Sequence, residues 1–508
     1  AEANWTDRPV VDAMERLREK QADEPQLATV DEALALKNNT AEPNDKILSA
    51  LGRLYESESE VDYDAELNRH IPADIKSTNP IMAISTYENY VIGLTSFGLF
   101  SFDWNMEPFA ISDYVVSWQT SEDLLMDKVV IRDDATWSDG QPITAHDVVF
   151  SFQTIMNPKV PVPAVRSGTD QIRWVEAYDD YTLIYFHKDT LVTNVWNLMF
   201  PVIPKHIYEE SIKEDPTLQN SKYHVDLENK PVFGGPFEIT HRAPKQEIVL
   251  TRRESYYMHN GEQVRTKPFF KEVRFRILED ENTALLALKN GQIEEMQLTP
   301  ELWQTQTNDD DFYRDNTKAT STEWVSFHFS WNTKTPFFSD RRVRQAMSYA
   351  FDHEEMLNTL LYGLASPCTG IFHPDSWMAY KGEIKPYKQN LDKAEDLLDE
   401  AGWVDDDGDG IREKIVNGRK VPFRFSIFCA SSSQVGIDIC SLLKENLDQI
   451  GIVCNVRSLE FPVLMEKTRN HEYQAVFSGW GTGTDPDTSE NIWSTKAIDQ
   501  GRNYGSYS

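Results

Sequence analysis

Residues 137–152 read Trp-Ser-Asp-Gly-Gln-Pro-Ile-Thr-Ala-His-Asp-Val-Val-Phe-Ser-Phe. The β-prone run Val129, Val130, Ile131 precedes them and predicts a strand. Asp139-Gly140 ends that run, because glycine supplies the positive φ of a tight turn and Pro142 stiffens the exit. Thr144 then predicts a helix N-cap, with Asp147 three residues on to close a capping box and offset the helix dipole. Val148, Phe152 and Ile155 fall on one face of that helix. The stretch is a strand, turn and helix with no catalytic group of its own.

As text, the stretch resembles the W-S-D-G-x-P-x-T-A-x-D-V-x-F-S signature of the dipeptide and oligopeptide family of ABC-transporter solute-binding proteins, family 5. The resemblance runs from about Ile75 to the end of the chain. Asn79-Pro80 with Ser85, Thr86 and Tyr87 resembles the family's opening segment and the polar loop after it. Phe233-Gly234-Gly235-Pro236-Phe237 matches the return into the first lobe, where paired glycines let the backbone bend. Residues 281–296 predict a helix capped by Asn290-Gly291, then a strand. The segment 341–352, R-R-V-R-Q-A-M-S-Y-A-F-D, matches a family helix whose buried stripe is Val343, Ala346, Met347 and Ala350, with Ser339 as its cap.

The resemblance implies an α/β, two-lobed, three-domain periplasmic-binding-protein-like fold (type II) with mixed sheets and a hinge. Its domain I is 76–103 and 232–324, the inserted domain II is 104–231, and domain III is 325–508. Residues 1–75 lie outside it. Three helical patterns, the second behind a Thr29/Glu32 capping box, and the acidic run 56–66 predict an N-terminal helical extension and linker.

The chain has 508 residues, 40% of them apolar, enough for about three domains with real cores. Its formal charge of −32 opposes nucleic acid or an anionic membrane as partner. No run of eighteen apolar residues occurs, so no spanning helix or uncut signal peptide is predicted. The chain begins at Ala1, as a processed exported protein does and as a trimmed one would. Periplasmic or extracytoplasmic placement, with the signal peptide removed, is the expectation. Cys368, Cys429, Cys440 and Cys454 lack C-x-x-C spacing, which disfavours zinc and thioredoxin-like chemistry. Cys429 and Cys454 are either neighbours or buried free thiols.

Within 402–414, Asp405, Asp407, Asp409 and Glu413 alternate, and Gly410 stands where an EF-type loop turns sharply. Position twelve is Val416 rather than a bidentate glutamate. Two readings stand: an acidic solvated connection, or a structural Ca²⁺ site. No other cofactor is implied.

The strand 425–430, the polar loop Ser431, Ser432, Ser433, Gln434 and the helix that follows make an α/β unit whose ligands gather at strand ends. Segment 324–332 alternates, with Val325, Phe327 and Phe329 on one face of a half-buried strand and Trp324, Ser326, His328 and Ser330 on the other. Residues 476–487, V-F-S-G-W-G-T-G-T-D-P-D, resemble the family's ligand loop. The resemblance implies an aspartate three residues after Trp480 to pair the ligand amine, but Gly483 stands there. It also implies an arginine in loop 431–434 for the ligand carboxylate, and none is present. Asp485 is left as amine partner, against the plainer reading of an Asp-Pro turn. Trp324, Trp480 and Trp493 suggest aromatic walls, against core packing. The expected ligand set is Ser85, Thr86, Trp324, Ser432, Trp480 and Asp485, between the first and third domains.

The expected function is that of a monomeric, non-catalytic receptor. It captures a small peptide-like or oligosaccharide-like solute by lobe closure and delivers it to ABC-transporter permease subunits. Simple dipeptides should bind weakly, because both terminal anchors are missing. A signalling or scaffold protein on the same fold is the alternative. An extracellular hydrolase is disfavoured by the lack of G-x-S-x-G, H-E-x-x-H or a Cys/His pairing with family-like spacing. The end of the chain, 501–508, resembles a family segment that further strands follow, which predicts a fragment.

Overall fold

A computed structural model describes residues 4–22, 29–41, 57–83, 85–103, 106–162, 165–166, 168–218, 228, 230–321, 323, 325–368, 370–372, 378–481, 493–499 and 502–508. The chain divides into two compact units, Ala1–Ala33 with Leu48–Gln297, and Leu34–Ile47 with Leu298–Ser508.

In the first unit, the strand Met126–Ile131 and the helix Ala145–Met156 form as their sequence predicts. Gly140 turns the chain at φ +85°, and its N–H donates to the Trp137 carbonyl at 2.9 Å. Asp147 does more than cap the helix. Its carboxylate accepts from the Thr144 N–H and the Lys205 N–H, each at 2.8 Å, and from Trp137 Nε1 at 3.4 Å. One local residue thus ties the helix start to a chain segment about sixty residues away. Val148, Phe152 and Ile155 are buried in one core with Trp118, Val129 and Tyr185.

That core lies against a five-stranded antiparallel sheet ordered Trp5–Arg8, Val115–Ser121, Met126–Ile131, Thr182–His187, Ile172–Ala177. A second sheet, of four strands, runs Phe237–Ala243, Glu247–Arg252, Glu272–Ile277, Glu66–Ile71, with the last pair parallel. It has its own core of Ile71, Phe237, Ile248, Leu250 and Phe275.

These sheets correct the expectation of a separate helical extension over residues 1–75. Trp5–Arg8 pairs along Val115–Ser121, Val10–Val11 pairs with Pro108–Ile111, and Glu66–Ile71 is an edge strand of the second sheet. The physical reason is edge pairing: each segment satisfies the open hydrogen-bonding side of a strand far away in sequence. Two of the three predicted helices form, Ala13–Ala22 and Val30–Ala35, the second with its Thr29/Glu32 box intact. The third pattern lies outside the described residues.

The second unit is built on a four-stranded sheet ordered Val325–Trp331, Ala475–Gly481, Arg424–Ala430, Val453–Leu459. The first pair is antiparallel and the other two are parallel. Helices Arg341–Ala350 and Gln434–Asp448 pack on it. The stripe Val343, Ala346, Met347 and Ala350 is buried as expected. The cap is Asp340 rather than Ser339, because its carboxylate takes the Arg342 N–H at 2.8 Å. Cys429, Cys440 and Cys454 are buried free thiols and Cys368 is an exposed one. Cys454 pairs in register with Phe425, and Cys429 with Ser458, so the two are not cross-strand partners.

Candidate functional site

In the second unit, the C-terminal ends of the parallel strands Arg424–Ala430 and Ala475–Gly481 share one edge of the sheet. There the chain enters loop 431–433 and starts the helix Gln434–Asp448. Ser433 caps it, its hydroxyl taking the Gly436 N–H at 3.1 Å, which leaves Ser432 exposed.

The antiparallel strand Val325–Trp331 completes this edge, and here the burial departs from the expected pattern. The alternation is present, yet the apolar face is the open one: Phe327 is 62% exposed and Val325 39%, while Ser326 and Ser330 are buried. Phe327 sits opposite Gly479 in the ladder. A Cβ on Gly479 would lie 2.8 Å from the Phe327 ring, so glycine is what lets the ring lie down over the neighbouring strand. The ring also stacks on Phe477, at 6.0 Å between centroids and 23° between planes. A Cβ on Gly436 would lie 3.5 Å from the Phe477 ring, so the start of the helix Gln434–Asp448 stands close behind it. The result is an exposed aromatic shelf with a rigid backing, next to a polar loop and a helix N-terminus.

Trp480 lies on the opposite face of the same strand, since it is three residues from Phe477. Its ring meets Tyr504 edge-on at 5.4 Å and 87°, and the Arg502 guanidinium lies over it at 4.9 Å. Trp493 is 45% exposed and stands 5.6 Å from Tyr507. Trp324, Gly483 and Asp485 lie outside the described residues.

In the first unit, Ser85 and Thr86 open the helix Thr86–Thr95. The Ser85 hydroxyl is committed to a capping box. It accepts from the Glu88 N–H at 3.2 Å and donates to the Glu88 carboxylate at 3.1 Å, which also takes the Lys76 N–H. Thr86 is exposed. Of the six expected ligand residues, Ser432 and Trp480 stand at the same strand edge of one unit, and Ser85 and Thr86 are neighbours in the other. Phe327 was not in that set. Its alternation was legible, but which face stays open was not.

The acidic loop does assemble. Ligand oxygens of Asp405, Asp407, Asp409 and Glu413 all lie within 4.8 Å of one another. Asp405 accepts the N–H groups of Gly408 and Gly410 at 2.8 and 3.0 Å, which curls the loop around its own carboxylates. Glu413, the buried member, begins a hairpin, Glu413–Val416 paired with Arg419–Pro422, turned at Asn417-Gly418 with both φ positive. That hairpin carries Val416 away as a strand residue and brings in Lys420, whose Nζ contacts Asp407 at 2.5 Å and Glu413 at 2.6 Å. The ammonium holds the Asp407 carboxyl below its usual range. In ligand type and spacing the four carboxylates fit a hard divalent cation, with Lys420 as its built-in competitor.

Residues 111–501 match the family described as bacterial extracellular solute-binding proteins, family 5 Middle. The oligopeptide-binding protein AppA of Bacillus subtilis (strain 168) is 28% identical over 383 residues, covering 74% of this chain. The chain spans 66% of that relative's length, just short of two thirds. The structure of AppA from Bacillus subtilis with a nonapeptide aligns at a TM-score of 0.76 and 24% identity, over 88% of this chain and 85% of that one. NikZ from Campylobacter jejuni with Ni(L-His) aligns at 0.71 and 25%, over 87% and 83%. The α/β periplasmic-binding-protein fold expected from the sequence is therefore the observed one. Among the described residues, no helix is long and apolar enough to cross a membrane.

Proposed function

The chain belongs to the bacterial extracellular solute-binding proteins of family 5, and on that premise we propose that it is a non-catalytic receptor for a peptide-class solute, acting for an ABC importer outside the cytoplasm. The observation that carries this reading is the exposed Phe327 ring, backed by Phe477 and seated on Gly479 at a sheet edge. An aromatic that open forfeits burial, which makes sense where a ligand covers it. Peptide is favoured over oligosaccharide because the similar AppA is an oligopeptide-binding protein. A shelf of this kind takes apolar side chains without reading their identity. Delivery to permease subunits, a monomeric state and removal of a signal peptide belong to the same proposal.

Native mass spectrometry of the purified protein is the direct test. A co-purified peptide, or uptake of one from a defined mixture, supports the receptor reading. A protein that stays ligand-free through titration with peptides and oligosaccharides, while residues 1–75 capture a protein partner, supports the scaffold alternative instead.

Phe327→Ala should weaken peptide binding about tenfold or more, the loss of one well-placed aromatic contact, with stability changed by under about 0.5 kcal/mol because the ring is largely exposed. Calorimetric titration beside a thermal melt checks both halves. Unchanged affinity would remove the shelf from the site.

The acidic loop serves the fold rather than the solute, with Ca²⁺ held by Asp405, Asp407, Asp409 and Glu413. Millimolar Ca²⁺ should raise the melting temperature by a few degrees, about what 1 kcal/mol of linkage gives a unit of this size, and should do so more in Lys420→Met. Identical melting in Ca²⁺ and in chelator for both proteins would leave an acidic turn and nothing more.

A further inference from the structure

We infer that the first unit carries a second binding site, for a small neutral polyhydroxylated molecule of the monosaccharide class, in a polar cleft that the N-terminal segment helps to build. The site is separate from the aromatic shelf, whose residues all belong to the other unit.

The cleft has a volume of about 420 Å³, and its polar lining includes Asp12, Ser112, Asp113, Arg132, Gln263 and Thr266. At ~30 Å³ each, about fourteen waters would fill it, and small-molecule sites are of this size. Two parallel strands place its acidic side. Val11 stands opposite Ile111 where Val10–Val11 pairs with Pro108–Ile111, so Asp12 and Ser112 leave the sheet side by side, with Asp113 next in the chain. Asp12 Oδ1 accepts from the Met14 N–H at 2.8 Å, in the first turn of the helix Ala13–Ala22. Asp113 Oδ2 accepts from the Tyr256 hydroxyl at 2.6 Å. Each carboxylate is thus held through one oxygen, and among the described residues the other oxygen takes no hydrogen bond.

The arginines are fixed in the same way. Arg132 gives Nε to Asp134 Oδ1 at 2.9 Å and Nη2 to Asp134 Oδ2 at 2.5 Å. Arg265, almost wholly buried, gives Nη2 to the same carboxylate at 2.5 Å and Nε to the Asp113 carbonyl at 2.6 Å. Arg132 Nη1 is left without an acceptor among the described residues. Two guanidinium groups against the carboxylates of Asp12, Asp113 and Asp134 bring the cleft within one charge of balance.

The open groups are therefore of both kinds. Asp12 and Asp113 each offer an acceptor, Arg132 offers a donor, and the Ser112 and Thr266 hydroxyls and the Gln263 amide serve as either. A bare cation would meet Arg132, and a bare anion would meet two carboxylates. A hydroxyl donates to a carboxylate and accepts from a guanidinium at once, so hydroxyls on neighbouring carbons match the set. Among the described residues Val264 is the only apolar one in the lining, which leaves an apolar ligand little to cover. Asp12 lies outside residues 111–501, the part matched to the family. This chain's own N-terminal segment thus supplies part of the site.

The test is saturation-transfer NMR followed by calorimetry on the full chain, with glucose, galactose, mannose and ribose, and with putrescine and inorganic phosphate as charged probes. At least one sugar should bind with a dissociation constant of about 1 mM or below, and neither charged probe should compete with it. Asp12→Asn and Asp113→Asn keep the oxygen that holds the Met14 amide or the Tyr256 hydroxyl and turn the open oxygen into an N–H donor. Each should weaken sugar binding by about tenfold, the loss of one hydrogen bond to a charged group. Thr266→Trp, at an exposed position, should fill the cleft and abolish binding without lowering the melting temperature. That variant decides the matter should either asparagine variant fail to fold. A wild type that binds none of the sugars overturns the inference, as does one that binds only putrescine or only phosphate. Full sugar affinity in Thr266→Trp places the sugar elsewhere and overturns it too. No arm uses a peptide, so the outcome is independent of the receptor reading.

Discussion

Gly235→Val is expected to destabilise the first unit by at least about 3 kcal/mol, the upper end of what overpacking costs, because the surrounding atoms are main chain and cannot swing aside. A Cβ at Gly235 would stand 2.6 Å from the Thr95 carbonyl carbon, 2.7 Å from Ser96 O and 2.8 Å from Ser96 N. The closeness is part of the fold. Gly235 N–H donates to Thr95 O at 2.9 Å, and its own carbonyl accepts from Arg253 Nη1 at 2.7 Å. Beside it, Tyr114 Oη donates to Gly234 O at 2.9 Å, and the Phe97 and Trp137 rings cover Gly234 where its side chain would be. The paired glycines let the chain leave the larger core and enter the four-stranded sheet. Chemical denaturation followed by tryptophan fluorescence would measure the loss, with Gly235→Ala giving a smaller effect. A valine variant within about 1 kcal/mol of the wild type would mean that the helix end at Thr95 yields more readily than its packing implies.

Asp127→Ala should cost about 3 kcal/mol or more, because it leaves three buried groups without their hydrogen-bond acceptor, each at about 1–3 kcal/mol. The Asp127 carboxylate accepts from Trp118 Nε1 at 2.7 Å and from Thr120 Oγ at 2.6 Å, and pairs with His187 Nε2 at 2.7 Å. The Asp127 and His187 side chains are both almost fully buried. Deletion strands an indole N–H, a hydroxyl and an imidazole at once, and each loses a partner that water cannot replace without opening the sheet. Asp127→Asn keeps an acceptor and should lose less. The network extends outward, since Arg8 Nε donates to Thr120 Oγ at 3.2 Å and the Arg8 guanidinium lies 5.6 Å from the centre of Trp118. Amide exchange in Trp5–Arg8 should therefore accelerate in Asp127→Ala beyond the change in global stability. Unchanged protection of those amides would separate the edge strand from the network.

The parts of the fold legible in the sequence were those whose physics is local. The Gly140 turn, the Thr144 helix start, the Thr29/Glu32 box, the Gly291 helix end and the stripe of Arg341–Ala350 each depend on residues within a few positions of one another. Capping and periodicity act over one or two helical turns, so text is enough. The acidic loop was legible for the same reason, although Lys420, its counter-charge, came only with the hairpin. In the candidate site, Ser85 was read as part of a polar loop, whereas it caps the helix Thr86–Thr95 and its hydroxyl is committed to Glu88.

The sequence by itself determined the family, the α/β class, the turn-and-helix units and the residues that share a strand face. Tertiary structure alone decided three things. It turned Trp5–Arg8 and Glu66–Ile71 from an apparent tail into sheet edges, because edge pairing is set by which distant strand has open N–H and C=O groups. It left Phe327 in the open while Ser326 and Ser330 were covered, because alternation gives two faces but only packing chooses between them. It also brought Arg502 onto Trp480 across twenty-two positions of chain, a proximity that residue spacing does not encode.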